Sequence, residues 1–147
     1  MALLRHLRGF IRLPRARRPL LLEAAFGLLA ARLMLRFVPF RYLTLFMKYP
    51  LADIRPSEFE RGLIRNDVSR AIREAAAHLP GNTVCFPRAL AAQVMCRRRG
   101  IDARLFYGAS TANGTGLTAH VWVQDGSAGV VGCEEMSQFR TLARFPA

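Results

Sequence analysis

Acidic residues are scarce in this chain of 147 residues: ten Asp and Glu stand against 22 Lys and Arg, for a formal charge of +12. The imbalance is uneven. Residues 1–50 carry ten of the basic residues and a single acid, Glu23. Such a segment suits nucleic acid, anionic lipid or an acidic protein partner. Nucleic acid is the weakest match, because no recognition motif is present and the arginines alternate with aliphatic runs instead of lining a polar face. A glycine-rich phosphate loop, GxxxxGK followed by Ser or Thr, is also missing, which removes support for direct nucleotide use.

Cysteine is sparse as well. Cys85, Cys96 and Cys133 make an odd count without metal-ligand spacing. That argues against a disulfide framework and a metal centre, and fits a reducing, cytoplasmic setting with no cofactor. No run reaches the ~20 charge-free residues of a membrane-spanning helix. Glu23, Arg32, Arg36 and Arg41 interrupt the apolar stretch from Pro19 to Met47, and no small-residue cleavage site follows it. The stretch reads as one or two amphipathic helices broken at Pro39, packing on the rest of the domain or on a partner. Peripheral membrane contact is the alternative.

What is present suffices for a core: 52% of the residues are hydrophobic, too many for a disordered chain. Residues 50–56 look like a connector, dividing a basic, apolar helical segment (1–56) from a second unit (57–147). Asn66-Asp67 can cap a helix running to about Leu79, with Val68, Ile72, Ala75, Ala76 and Leu79 at helical spacing. Pro80-Gly81-Asn82 ends it. The next helix starts just after Cys85, with Pro87 in its first turn. Arg97-Arg98-Arg99-Gly100 supplies a solvated, cationic last turn and a glycine cap.

Beyond Gly100 the period becomes two. Strands are expected over Ala103 to Gly108, Leu117 to Gln124 and Gly129 to Cys133. A loop over 111–116 and a turn at Asp125-Gly126 join them. Phe139, Leu142 and Phe145 would cover an edge or end of the sheet. Helices first and an antiparallel meander second give an α+β fold.

This order puts Cys85 at a helix N-terminus and His120, 35 residues on, in a strand. A thiol attacks a carbonyl as thiolate, which a helix N-terminus and a nearby imidazolium both favour. Histidine is the natural base and acid near neutral pH. Backbone N–H groups of the first helical turn can stabilise an oxyanion. His78, at a helix end, suits the last carbonyls instead. Cys96 and Cys133 read as buried small hydrophobes.

Three blocks carry a family resemblance: Cys85-Phe86-Pro87-Arg88-Ala89-Leu90-Ala91, then Arg98-Arg99-Gly100-Ile101-Asp102-Ala103-Arg104-Leu105, then Ala119-His120-Val121-Trp122-Val123. In order and spacing they resemble the lasso-peptide leader peptidases, transglutaminase-like cysteine proteases related to the microcin J25-processing protein. The resemblance implies a transglutaminase/papain-like core, with a nucleophile-bearing helix packed on a small antiparallel sheet. It also implies removal of a leader from a ribosomally made precursor peptide, in concert with a separate leader-binding protein and a lasso cyclase. The N-terminal helices would dock one of those partners.

On the family pattern Cys85 is nucleophile and His120 base, and Arg88 binds the peptide or braces the site. Trp122 shares the face of His120 and either shields the substrate or fills the core. The family's third, acidic member lies about a dozen residues after the histidine, where this chain has Gly132-Cys133-Glu134. Folding the hairpin sets His120 opposite Cys133, and a one-residue bulge brings Glu134 to the imidazole. Asp125 suits the turn, and a Cys-His dyad without a third member is the remaining option. Two rival functions stand beside the peptidase: another transglutaminase-like activity, and a non-catalytic interaction module with a degenerate site.

Overall fold

The computed structural model describes residues 14–81, 84–111, 114 and 116–147. After a 3-10 turn at Arg15–Arg17 come helices α1 (Arg18–Phe37), α2 (Phe40–Met47), α3 (Glu58–His78) and α4 (Cys85–Arg97). Strands β1 (Ala103–Ser110), β2 (Thr118–Asp125), β3 (Ala128–Val131) and β4 (Arg140–Phe145) follow. The fold is α+β, as the change of period implies. Most of the basic leader and part of the 111–116 loop fall outside the described residues.

Pro39 splits the N-terminal apolar stretch as expected, as N-cap of α2. The start of α3 differs from expectation. It begins at Glu58, nine residues before Asp67, because Ser57 and Glu60 form a capping box. The Ser57 hydroxyl accepts from the Glu60 N–H (3.3 Å), and the Ser57 N–H donates to the Glu60 carboxylate (2.7 Å). The Ser-x-x-Glu pattern was the signal for it. Asp67 lies inside the helix and pairs with Arg70.

Helix α4 is buried along most of its length, nine of its thirteen residues being inaccessible. A helix apolar on every side must be wrapped, and α1, α3 and the sheet wrap it. Where α1 crosses, a side chain on Gly27 would meet the Ala91 Cβ at 3.2 Å. Gln93, fully buried mid-helix, donates through Nε2 to the carbonyls of Met47 (3.0 Å) and Phe145 (2.7 Å). It thereby ties the end of α2 to the end of β4.

The arginine run at the end of α4 is solvated only in part: Arg98 is exposed as the sequence reading expects, Arg99 is half-buried and Arg97 is buried. Arg97 is buried and donates to the Tyr49 carbonyl (2.5 Å) and to Asp102 (2.6 Å). Arg98 and Arg99 both grip Glu23 (3.0 and 2.5 Å). The lone acid of residues 1–50 thus anchors α1 to the rear of α4. One core takes in Ala24, Leu28, Leu43 and Met47 from the first segment and Ile72, Leu90, Leu105 and Val123 from the second.

The sheet is antiparallel with order β3-β2-β1-β4. The segment holding Leu142 and Phe145, expected to cover an edge, becomes the fourth strand on β1. Leu105 pairs with Val123 and Tyr107 with Val121, and these residues face the helices. Phe106, Gly108, His120 and Trp122 take the opposite face.

Asp125 corrects another expectation. It ends β2 fully buried and is no turn residue: its carboxylate receives Arg61 and Arg65 of α3 (2.5 Å to Arg65). This ion pair joins α3 to the sheet, and both guanidinium pKa values rise. For Arg61 the hydrogen bond to Asp125 is the main cause. For Arg65, burial pulls the value down, but hydrogen bonds to Glu58 and Asp125 outweigh it.

The outer surface of α1 inverts the usual size pattern. Its buried stripe is mostly small (Ala24, Leu28, Ala31), while Leu22, Phe26, Leu29, Leu33 and Phe37 form an exposed stripe. Phe40, Tyr42, Leu45 and Phe46 of α2 are also exposed. Among the described residues no helix is long and apolar enough to cross a membrane.

Removing one partner of a buried ion pair strands the other charges. Asp125→Asn is therefore expected to lower unfolding free energy by about 3 kcal/mol in urea titration. A loss below about 1 kcal/mol would show that solvent already screens the pair.

Candidate active site

Cys85 opens α4, and its neighbours explain why the helix starts there. The N-cap, Val84, is extended (φ −66°, ψ 166°) and has no side chain able to accept a hydrogen bond. Pro87, in the first turn, fits because an N–H there would have no intrahelical acceptor. The N–H groups of Cys85 and Phe86 consequently have no acceptor within the helix. No acid occupies this turn, so its positive end stays uncompensated. Phe86 contacts Phe40 of α2 (ring centroids 6.3 Å apart), which anchors the turn.

A cavity of about 290 Å³ opens here, lined by Ser69, Ile72 and Arg73 of α3, Cys85 and Arg88 of α4, His120 and Val121 of β2, and Val131, Gly132 and Glu134. Cys85 and His120, far apart in sequence, therefore share one cavity. Both are half-buried, and no hydrogen bond joins thiol to imidazole. They meet at the sheet edge, since His120 stands on the face turned away from the helices. The edge is open there because β3 ends at Val131 and pairs only with Val123 to Asp125.

Ring orientation at His120 is fixed on three sides. The imidazole stacks on Trp122 (centroids 5.9 Å) and lies against Phe139 (5.0 Å). Its Nε2 lies 2.7 Å from the carbonyl oxygen of Gly132. A carbonyl only accepts, so Nε2 carries the proton and Nδ1 is the free nitrogen. Gly132 itself has φ +74°, and an added Cβ would come within 2.9 Å of the Val121 carbonyl oxygen. Only glycine reaches this approach without strain.

Of the other candidates, Glu134 departs from the sequence reading, Trp122 takes the core-filling option and Arg88 lines the cavity. Glu134 is exposed at the cavity rim, and the imidazole bonds to the backbone of Gly132 in its place. Trp122 is 3% exposed and does not line the cavity. It stacks on Phe106 (5.8 Å) and covers Gly108, where a Cβ would sit 2.8 Å from the indole. It forms the wall behind His120. Arg88 does line the cavity, and its Nε is buried without an acceptor.

Of the α3 residues in the lining, Ser69 and Arg73 were not singled out from sequence, and Ile72 only as an apolar position at helical spacing. Their spacing of three and four marks one helix face, but nothing local says that this face meets Cys85. The remaining cysteines are structural. Burial pushes the Cys96 thiol up to about 12. Burial also raises Cys133, whose sulfur donates to the Val123 carbonyl (3.2 Å). His78 is exposed, with Nδ1 2.7 Å from the Glu74 carbonyl, the helix-end role expected of it.

Comparison with known proteins assigns the domain. A family model described as the transglutaminase-like superfamily matches residues 25–144, and the chain belongs to that superfamily, which typically includes cysteine peptidases and transglutaminases. No curated protein and no solved structure matches the chain.

At pH 8, iodoacetamide is expected to label Cys85 first in the native protein, Cys133 slowly, and Cys96 only after unfolding, as read by peptide mass spectrometry. Thiolate is the reacting form, and burial keeps the latter two protonated. Early labelling at Cys96 would contradict the packing of α4.

Proposed function

We propose that the protein is a cysteine peptidase that removes the leader from a ribosomally made lasso-peptide precursor. It acts with a separate leader-binding protein and hands the product to a lasso cyclase. The observation that carries the reading is the shared cavity of Cys85 and His120, inside a chain of the transglutaminase-like superfamily. The resemblance of the Cys85, Arg98 and His120 blocks to the leader peptidases supplies the substrate class.

In the proposed mechanism, Nδ1 of His120 takes the thiol proton as the precursor settles in the cavity. A thiol–imidazole hydrogen bond forms at that stage, since catalytic hydrogen bonds commonly become short only once substrate is bound. The thiolate attacks the carbonyl of the leader–core amide. The N–H groups of Cys85 and Phe86 stabilise the oxyanion. The imidazolium then protonates the departing core amine, and water, deprotonated by the imidazole, hydrolyses the thioester. The Gly132 carbonyl holds the ring throughout, which makes Cys85 and His120 a dyad with a backbone orienter. Glu134 contributes at the rim.

A second reading, a non-catalytic interaction module, draws on the lack of a carboxylate at the imidazole. It requires Cys85→Ala to keep the biological effect.

Mass spectrometry of a candidate precursor, incubated with the protein and its leader-binding partner, separates the two. Cys85→Ala and His120→Ala are each expected to slow cleavage by about a thousandfold or more. Glu134→Gln should stay within about fivefold of wild type, against the roughly ten-thousandfold loss seen when a needed carboxylate orienter is removed. Unchanged cleavage in Cys85→Ala would sink the peptidase reading.

A further inference from the structure

We infer that the cavity beside Cys85 is a carboxylate-binding subsite formed by Arg73 and Arg88. Six other arginines that pack between elements share three carboxylates in pairs. Asp125 holds Arg61 and Arg65, Glu23 holds Arg98 and Arg99, and Asp102 holds Arg97 and Arg104. Among the described residues, Arg73 and Arg88 form no ion pair, although they come from different helices and line the same cavity. Arg88 is half-buried, and its Nε is shut away from solvent with no acceptor.

The Arg88 guanidinium, partly withdrawn from water without a partner, carries a cost that an incoming carboxylate offsets, while the exposed Arg73 adds positive charge at the cavity mouth. The guanidinium fork also matches a carboxylate better than any neutral group. The one acid of the lining, Glu134, is exposed at the rim and pairs with neither arginine. The cavity, about 290 Å³, lies near the lower limit of ligand pockets, roughly 300 Å³. It therefore accepts a side chain or a chain end. Resting on the peptidase reading, the ligand is a peptide with Asp or Glu beside the scissile amide, or one ending in a free carboxylate there.

The anionic reagent iodoacetate and its neutral analogue iodoacetamide test the subsite without any substrate. Their rate ratio at Cys85, normalised to N-acetylcysteine, should favour iodoacetate by about tenfold in wild type. It should fall toward one in Arg88→Gln and Arg73→Gln. Arg36→Gln, an equal charge change on exposed α1, controls for the overall positive field and should leave the ratio high. Arg88→Lys, which keeps the charge, should retain part of the preference. Thermal melting checks that each variant folds. A wild-type ratio near one, or equal changes in all three Gln variants, overturns the subsite.

A high ratio in a protein that cleaves no precursor leaves the subsite standing and removes the peptidase reading. Cleavage with a flat ratio does the reverse. With cleavage in hand, Glu-to-Gln precursor pairs and acid-versus-amide chain ends identify which carboxylate is bound. Indifference to both removes the substrate assignment.

A separate observation supports a second proposal: we infer that the exposed stripe of α1 and α2 lies on an anionic lipid surface. The stripe from Leu22 to Phe37 follows one helix face, and Phe40, Leu45 and Phe46 extend the apolar surface. The exposed charges of residues 14–50 are all positive: Arg15, Arg17, Arg36, Arg41 and Lys48. Glu23, the one acid available, is held by Arg98 and Arg99. A uniformly anionic surface meets this all-positive rim, whereas a protein of mixed charge does not. The combination is that of a helix resting in the interface, not spanning it.

Co-sedimentation of the full chain with vesicles of equal phosphatidylcholine and phosphatidylglycerol should capture most of it. Pure phosphatidylcholine should capture several-fold less, and Phe26→Ser/Phe37→Ser should abolish capture without changing the melting temperature. Equal capture by both vesicle types, no capture, or an unaffected double variant refutes lipid docking, and the stripe then belongs to a protein interface.

Discussion

Helix α4 has no water-facing side, and most of the molecule is arranged by the need to enclose it. Burying nine of thirteen residues requires neighbours all round: α1 against Ala91, α3 beside it, the sheet beneath and the end of α2 across it. Such a helix also brings its few polar groups into the interior, where they must find partners. The Gln93 side-chain NH2 and the Arg97 guanidinium find theirs in backbone carbonyls and in Asp102, while Gln93 Oε1 is buried without a donor. The consequence for function is positional. A thiol at the first residue of a helix clamped from several directions sits on a fixed backbone, beside N–H groups that have no acceptor within the helix. That is the preorganisation that acyl chemistry draws on.

The scarcity of acids becomes intelligible at the same level. With Lys48 as the only lysine, the basic side chains are nearly all guanidiniums, whose forks allow two of them to share one carboxylate. Asp125, Glu23 and Asp102 each do this, and each links elements distant in sequence or closes the turn between α4 and β1. Few acids therefore suffice to organise many arginines. Positive charge remains at the cavity beside Cys85, on the outer surface of α1 and α2, and at the exposed Arg140 and Arg144 of β4. The first adjoins the candidate chemistry, and the second faces away from it.

Much of the outline was legible. Alternating polarity from Ala103 onward located β1 and β2, Pro39 divided the N-terminal helices, and Pro87 marked the start of α4. The helix-to-strand order implied the α+β class. Readings failed where a side chain's partner lay far along the chain. Asp125 beside a glycine has the composition of a turn, and only α3 arriving above it makes it an ion-pair centre. Arg97-Arg98-Arg99 has the composition of a solvated helix end, and only Glu23 and the Tyr49 carbonyl make it an anchor. The start of α3 was different. Its capping box was local and visible, but the stronger-looking Asn66-Asp67 pair drew the boundary inward.

The sequence by itself determined the identities that chemistry requires: a thiol at a helix N-terminus, an imidazole in a strand, and a glycine where the chain passes beside that imidazole. These follow from local rules of periodicity, capping and backbone freedom, which act within a few residues. Tertiary structure decided how the groups meet. It ended β3 early so that the edge beside His120 opens, and it oriented the ring with the Gly132 carbonyl while Glu134 stayed at the rim. It also brought Arg73 to the cavity from a different helix. Those outcomes depend on register, on where a strand stops and on which helix face packs inward. They are set by the burial of α4 as a whole, a non-local sum that no short window of residues contains.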